Sequence, residues 1–110
     1  MNLATREVGG ASVVDIDGRI DSVEAATELG NALNDCIAQG KTNIVANLEK
    51  VDYMNSSALG SLISAHKAAK EKGGSLKLAS LQSFVMEVFK KSQLVQIFNI
   101  VDTVDNAVKV

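Results

Sequence analysis

The hydrophobic positions of this chain follow two periods, one typical of strands and one typical of helices. Two short runs, at Leu3–Val8 and Ser12–Ile16, predict strands. Gly9-Gly10 lies between them, and both glycines tolerate the positive φ that a tight hairpin turn requires. The pattern therefore predicts a β-hairpin over this first segment.

The next segment has apolar residues at helical spacing and predicts a helix that ends at Gly40. Its start, Asp21-x-x-Glu24, is similar to a capping box. The apolar stripe of this helix consists of Ala26, Leu29, Leu33, Cys36 and Ile37. Because Cys36 falls on the stripe, we expect it to be a small core residue.

Strand and helix patterns then alternate along the remainder of the chain. Strands are predicted at Ile44–Leu48, Leu76–Leu78 and Ile97–Val101. A second helix ends at Gly73-Gly74, a third occupies Leu81–Lys91, and Asp102–Asp105 caps a last helical turn or two. The apolar face of the second helix consists of Leu59, Leu62, Ile63, His66 and Ala69, and that of the third of Phe84, Val85, Val88 and Phe89.

This alternation predicts the fold class. A strand followed by a helix and another strand forms a parallel pair with a right-handed crossover. We therefore expect an α/β domain over residues 1–110, with a mostly parallel mixed sheet of about five strands, an N-terminal antiparallel hairpin strand and about four helices.

The central feature is the polar turn between the Ile44–Leu48 strand and the second helix. Asn55 stands where a helix N-cap belongs, because its side-chain oxygen can accept a backbone N–H from the first turn. Ser56 and Ser57 would then lie in the first turn with the hydroxyl of Ser56 facing solvent. A phosphate there would meet unpaired N–H groups and the positive end of the helix dipole. The alternative is an ordinary helix start, since Ser and Asn are common there.

Composition limits the classes of function. A formal net charge of −2 and a pI near 5.3 argue against a nucleic-acid-binding protein, which normally has a basic face. No apolar run approaches the length of a membrane span, and the first ten residues lack the apolar core of a signal peptide. One cysteine forms no internal disulfide, so we expect a cytoplasmic protein.

Few residues are available for metal or catalytic chemistry. Cys36 and His66 are the chain's one Cys and one His, so no metal-ligand spacing exists and we expect neither metal nor cofactor. His66 lies on an apolar stripe and is expected to be a satisfied, partly buried histidine. A Cys-x-x-Cys pair, a P-loop and a receiver-type acidic cluster are all missing. We interpret the chain as a non-enzyme.

Small side chains follow one face of the second helix and suggest a docking surface. Ser57, Ser61, Ser64 and Ala68 recur at helical spacing, and Gly60 adjoins them. Small residues there would let a partner helix approach closely. The alternative is a solvated face, and the pattern does not decide between the two.

Three segments in order resemble one family. GRIDSVEA at 18–25, IVANLEKVDYMNSSALG at 44–60 and FVMEVFKKSQLVQIFNIVDTVDNAV at 84–108 are similar to segments of the STAS domain, the fold of bacterial anti-sigma factor antagonists. The family's usual turn reads Asp-Ser-Ser/Thr-Gly-Leu-Gly, and its Ser directly after the Asp is the phospho-acceptor. That position corresponds to Ser56, with Ser57 as the second candidate.

The resemblance implies a phospho-switched binding module. The dephosphorylated domain would bind an anti-sigma factor that is also a serine protein kinase, and so release a sigma factor. The kinase would use ATP to phosphorylate Ser56, and a metal-dependent serine phosphatase would reverse this. The chain would act as a monomer or weak dimer. The implied partner-binding residues are Asp21, Ser22, Asn55, Ser57, Gly60, Ser61 and Ser64.

The turn departs from the family's pattern at two acidic positions. Asn55 and Asn47 stand where Asp is usual, and Ala58 stands where Gly is common. Asn caps a helix as well as Asp does, so the cap is expected to survive. The loss of two carboxylates also favours an alternative function, a scaffold or accessory subunit of a signalling or transport complex that is never phosphorylated.

Overall fold

Five strands form one mixed sheet whose order in space is the same as their order in the chain. The computed structural model describes residues 1–109. The strands are β1 Asn2–Val8, β2 Ala11–Asp17, β3 Asn43–Lys50, β4 Ser75–Ala79 and β5 Asn99–Val101. β1 and β2 are antiparallel and the remaining neighbours are parallel, which confirms the predicted α/β class, the hairpin and the mixed sheet.

Four α-helices connect or follow these strands, as predicted. They are α1 Val23–Ala38, α2 Ser56–Glu71, α3 Ser83–Lys91 and α4 Val104–Lys109, and a 3₁₀ turn at Leu94–Gln96 follows α3. The predicted β5 segment Ile97–Val101 is shorter in the structure, because its first two residues leave that turn. Asn106 donates its backbone N–H to Thr103 Oγ1, which caps α4.

The sheet separates two hydrophobic cores. In β2, β3 and β4, adjacent residues Val14, Ala46 and Leu78 face the larger core, which the buried stripes of α1 and α2 complete. Val13 and Val45 face the opposite side, where Ala107 of α4 covers them. Because these strands are buried on both faces, they are near-continuous apolar runs.

The apolar stripe predicted for α1 is confirmed residue by residue. Its buried residues are Ala26, Leu29, Leu33, Cys36 and Ile37. Cys36 is therefore a core residue, and burial raises the pKa of its thiol. Leu62 in α2 is also fully buried, as its place on the predicted stripe requires.

The predicted start of α1 is wrong by one residue. Ser22, rather than Asp21, is the N-cap, because its backbone is extended and its Oγ accepts the N–H of Ala25 at 3.0 Å. Asp21 precedes the cap and is exposed. A serine hydroxyl is short enough to turn back to the third N–H of its own helix.

The predicted apolar face of α3 is partly wrong. Val85 and Phe89 are buried and Val88 is partly buried, but Phe84 is 52% exposed. Phe84 lies in the first turn of α3, which begins at Ser83 rather than Leu81. Its ring stacks on Tyr53, at the end of the sheet where the strands leave the core.

Candidate functional site

Asn55 is the N-cap of α2, as predicted. Its backbone is extended, with φ −90° and ψ 177°, and its Oδ1 accepts the N–H of Ala58 at 2.9 Å. The cap is therefore filled by Asn55, and the hydroxyl of Ser56 is not needed for it. Ser56 and Ser57 are both exposed in the first turn.

The amide nitrogen of Asn55 makes a second contact that the sequence did not reveal. Its Nδ2 donates to the backbone carbonyl of Ser22 at 3.2 Å, and Ser22 caps α1. One side chain thus joins the starts of both helices. An aspartate at this position could cap α2 but could not donate to that carbonyl.

Backbone hydrogen bonds hold the same two loops together. Ile20 donates its N–H to the carbonyl of Tyr53 at 2.9 Å, and Asn55 donates to the carbonyl of Ile20 at 3.0 Å. Ile20 and Met54 form a parallel bridge, and both are buried. The segment Asn55–Ser57, called here the serine turn, is therefore attached to the loop that precedes α1 through its first residue, Asn55.

The charge around the first turn of α2 favours an anion. The turn carries no acidic side chain, in contrast to the first turn of α1, which contains Glu24. The positive end of the α2 dipole and its unpaired N–H groups therefore lack a counter-charge from within the helix. A phosphate on Ser56 would supply that charge.

The second departure from the family pattern, Asn47, is also a hydrogen-bond donor. Its Nδ2 donates to Asp15 Oδ1 at 2.8 Å, and its Oδ1 accepts the N–H of Glu49. Arg6 Nε donates to Asp15 Oδ2 at 2.7 Å. The hydrogen bond from Arg6 holds the pKa of Asp15 below its usual value, against the opposing effect of burial. An aspartate at position 47 would place two carboxylates in contact.

Part of the small-residue face of α2 packs against α1, and the remainder is exposed. Ser57, Gly60 and Ser64 are exposed. Ser61 instead faces α1, where its Oγ donates to the carbonyl of Ala26 at 3.0 Å. A Cβ added to Gly30 would lie 3.3 Å from that Oγ, so the two helices already approach closely there. Ser61 is therefore half-buried at the contact between the helices, and its part in binding a partner stays a prediction.

A groove between the two helices begins at this face and is called here the α1–α2 groove. Its volume is about 530 Å³. The lining is uncharged and consists of Thr27, Gly30, Asn31, Asn34, Ser57, Gly60, Ser61 and Ser64. Four predicted partner-binding residues are therefore brought together along one groove, and Asp21, Ser22 and Asn55 lie at the joined helix starts.

The sequence pattern did not predict a surface cluster in which Arg19 and Phe84 are exposed and Tyr53 is half-buried. The guanidinium carbon of Arg19 lies 5.0 Å from the centroid of the Tyr53 ring, and the Phe84 ring stacks on Tyr53 at 5.6 Å. Arg19 and Tyr53 each precede one of the two buried residues of the Ile20–Met54 bridge. Alternation across that bridge is the signal that could have predicted that Arg19 and Tyr53 face away from the core.

His66 is more deeply buried than predicted, and one of its nitrogens has no partner. The ring packs against Phe98 with 5.0 Å between centroids and is hydrogen-bonded to the backbone of Leu76. Nδ1 makes no hydrogen bond, so the expectation of a satisfied histidine is wrong for that atom. Burial, and then the charge of Lys70, lowers the pKa of His66.

Residues 1–109 contain neither a metal-binding cluster nor a membrane-spanning helix. No three His, Cys, Asp or Glu side chains are grouped so that they could hold a metal ion. Within the same residues, no helix combines the length and apolar character that crossing a membrane requires.

Comparisons with known proteins agree with the fold and the order of its segments. A family model described as the STAS domain matches residues 2–107. The anti-sigma-B factor antagonist of Bacillus subtilis is 36% identical over 87 residues, which are 79% of this chain and 78% of that protein.

Solved structures share the fold at lower identity. An anti-sigma factor antagonist from Mycobacterium paratuberculosis has a TM-score of 0.88 at 22% identity, covering 98% of this chain and 91% of that one. The Bacillus cell fate determinant SpoIIAA in its phosphorylated form has a TM-score of 0.76 at 21% identity, covering 98% and 97%.

Proposed function

This chain belongs to the STAS domain family and, within it, to the anti-sigma factor antagonists, and on that premise we propose that phosphorylation of Ser56 switches its binding. Anti-sigma factor antagonists are binding modules rather than enzymes. In its dephosphorylated form the chain binds an anti-sigma factor that is also a serine kinase, and so releases a sigma factor. The kinase uses ATP, which makes the cytoplasm the proposed site of action.

The observation that carries this proposal is the filled cap. Asn55 Oδ1 occupies the capping position on α2, so the exposed Ser56 hydroxyl remains available to a kinase. The first turn has no acidic side chain, so a phosphate would complement the helix dipole instead of repelling a neighbour. The phosphorylated domain should therefore keep its fold.

Phosphorylation would act on docking through charge. A phosphate adds about −1.5 to −2 at this turn, on a chain whose formal net charge is −2. A dianion enclosed by a partner without a matching cation carries a large desolvation cost. We therefore expect the phosphorylated form to dissociate, and a serine phosphatase acting on Ser56 to restore binding.

The α1–α2 groove is the proposed contact surface for the kinase. It begins at Ser57, directly beside the phospho-acceptor, and its small uncharged lining lets a partner helix approach without desolvating a charge. Ser64→Arg should abolish binding because Ser64 is exposed in the groove. Ser61→Arg is a poorer test, since it would also break the hydrogen bond to Ala26 and the contact with Gly30.

The alternative function, a scaffold that is never phosphorylated, rests on Asn55 and Asn47. Both side chains donate hydrogen bonds that aspartate could not make, to Ser22 and Asp15 respectively. These two hydrogen bonds are therefore enough to explain why asparagine, rather than the usual aspartate, stands at positions 55 and 47. The presence of the asparagines gives no independent support to the scaffold alternative.

Intact-mass measurement on the chain purified from its native cells tests the switch. We expect a fraction of molecules to carry the mass of one phosphoryl group, and fragmentation to place it on Ser56. Ser56→Ala should remove the phosphorylated fraction and leave the chain in its binding state, whereas the matched Ser57→Ala should retain it. A chain that is never phosphorylated, in growth or under stress, would favour the scaffold.

A further inference from the structure

Arg19, Tyr53 and Phe84 form a surface cluster, called here the aromatic patch, in which Arg19 and Phe84 are exposed and Tyr53 is half-buried. Tyr53 contacts both of the others, Arg19 at 5.0 Å and Phe84 at 5.6 Å with an interplanar angle of 24°. Phe84 remains 52% exposed although the larger core holds Phe89 and Phe98. An aromatic side chain left half in water beside a tyrosine and an arginine has the composition of an interface centre.

The aromatic patch is continuous with the serine turn. Tyr53 lies three residues before Ser56 on the same loop, and its carbonyl accepts the N–H of Ile20, next to Arg19. Gln82 Nε2 donates to the carbonyl of Glu49 at 2.7 Å and so attaches the start of α3, which carries Phe84, to the end of β3. The loops after β2, β3 and β4 therefore hold the patch in a fixed position beside the turn.

The chemistry of the aromatic patch defines what it would bind. Arg19 Nη1 forms a long ion pair with Asp52, 3.9 Å from a carboxylate oxygen, which is too far for a hydrogen bond. The guanidinium N–H groups can therefore still donate to a second carboxylate while the guanidinium carbon stays over the Tyr53 ring. Phe84 offers an apolar surface beside it. The complementary partner surface presents an acidic side chain next to an apolar one.

We propose that the aromatic patch is a second contact region for the same anti-sigma factor kinase that occupies the α1–α2 groove. This inference rests on the proposed function. The partner would then contact the chain both at the groove, whose lining includes Ser57, and at the patch, whose Tyr53 lies three residues before Ser56. A phosphate at the turn would separate both regions from the partner at once.

Site-specific photo-crosslinking in the native cells tests this arrangement. A photo-reactive phenylalanine analogue is placed at position 84 in the aromatic patch, at 34 on the α1 side of the groove, or at 97 as the control. Asn34 is exposed in the groove lining and is not one of the small α2 residues that the partner helix is proposed to approach. Ile97 is a matched control because it is 49% exposed but lies before β5, at the opposite end of the parallel strands from Phe84. Adducts are identified by mass spectrometry.

Each outcome decides between the two proposals. The same kinase captured from positions 84 and 34, and not from 97, supports the aromatic patch. Capture from 34 alone overturns the patch and leaves the proposed function intact. A second copy of this chain captured at 84 makes the patch a self-interface and overturns the inference. If no kinase is captured from position 84 and none from position 34, both proposals are overturned.

Affinity measurements with the purified kinase extend the test. Phe84→Ser and Arg19→Ala should each weaken binding by about tenfold or more, as truncation of central interface residues does. Ile97→Ser should leave the dissociation constant nearly unchanged. Thermal melts of all three variants show whether the fold is retained. Unchanged affinity in a folded Phe84→Ser variant would contradict the inference.

Discussion

The N-terminal turns of α1 and α2 differ in charge, although the two helices have the same length and each is capped by a polar side chain. Each helix has sixteen residues, and each is capped by a short polar side chain, Ser22 or Asn55. The first turn of α1 already contains Glu24, whereas that of α2 has no acidic side chain. A capping side chain therefore does not by itself balance the positive end of a helix dipole. The cap satisfies one N–H, but the dipole of α2 remains uncompensated.

The two starts also differ in what their caps contact. The Ser22 hydroxyl accepts a hydrogen bond within its own helix, whereas Asn55 caps α2 and donates to the carbonyl of Ser22 as well. The start of α2 is therefore attached to α1 through a side chain, while α1 depends on its own cap. A change at Asn55 should affect both helices, and a change at Ser22 mainly one.

The largest expected effect concerns the packing that both helices share. Leu62 on α2 and Leu33 on α1 are fully buried in the same core. Either leucine replaced by alanine should lower the free energy of unfolding by about 2–5 kcal/mol, because a cavity remains. Urea melts measure this, with exposed Ser64→Ala as the control. A loss below about 1 kcal/mol at Leu62 would show that α2 is rotated from the orientation described.

The next effect separates the two caps. Ser22→Ala should lower the free energy of unfolding by about 1 kcal/mol, the usual cost of a lost cap. Asn55→Ala should cost more, about 2 kcal/mol, because the donor to Ser22 is lost together with the cap. Urea melts of the two variants give the difference. Equal losses would mean that the contact between the two helix starts contributes nothing to stability.

Asn55→Asp isolates the donor, because aspartate keeps the cap and restores the residue usual in the family. We expect a smaller loss of stability than for Asn55→Ala, since only the hydrogen bond to Ser22 is removed. The rate of phosphorylation of this variant by the kinase shows whether the asparagine also tunes the switch. A faster rate would mean that the native Asn55 slows phosphorylation.

The local parts of this site were predictable from the sequence, and the long-range parts were not. The Asn55 cap depends on four consecutive residues and is confirmed. The stripe predicted for α2 is confirmed at Leu62, His66 and Ala69. Leu59 and Ile63 are only half-buried, and the buried Ala58 and Ala65 were not predicted. The donation from Asn55 to Ser22 joins residues 33 positions apart, and that from Ser61 to Ala26 joins residues 35 apart. Such contacts depend on how the helices pack, which periodicity does not specify.

Phe84, at the start of α3, is a second case in which periodicity alone did not predict burial correctly. Its spacing from Val88 matches an apolar face, but the first turn of α3 lies at the margin of the sheet, where no layer of the described chain covers it. Periodicity predicts the direction of a side chain around the helix axis. It does not predict where the neighbouring layer ends.

A smaller expected effect is a pH dependence of the free energy of unfolding, caused by the buried His66 of α2. His66 is buried, and its pKa is lowered in the folded state. The unfolded chain therefore binds a proton more readily, and stability should fall as pH drops below about 6.5, the ordinary pKa of histidine. Because one proton is bound, the free energy of unfolding should change by at most about 1.4 kcal/mol per pH unit.

Urea melts between pH 7 and pH 5 measure this dependence. His66→Gln should abolish the slope in that window, because His66 is the one histidine of the chain. Asp15, whose pKa is also lowered, contributes only at more acidic pH, since an unfolded aspartate titrates near 3.9. A slope that persists in His66→Gln would assign the effect to another group.

The smallest effect tests the difference between the two helix starts directly. Ser56 and Val23 are the first helical residues of α2 and α1, and both are exposed. Ser56→Asp should raise the free energy of unfolding by about 0.3–1 kcal/mol at low salt, because it supplies the missing negative charge. Val23→Asp should give less, since Glu24 already faces that dipole. Added salt should reduce both gains.

The same Ser56→Asp variant should bind the kinase more weakly, even though it is the more stable fold. Charge at the turn favours the helix and opposes the partner, so the two measurements should move in opposite directions. One negative charge is less than a phosphate carries, so the loss of affinity should be smaller than that caused by phosphorylation. Equal gains in stability at Ser56 and Val23 would contradict the electrostatic difference between the helix starts. Unchanged affinity in Ser56→Asp would show that charge at this turn does not control docking, which would favour the scaffold alternative.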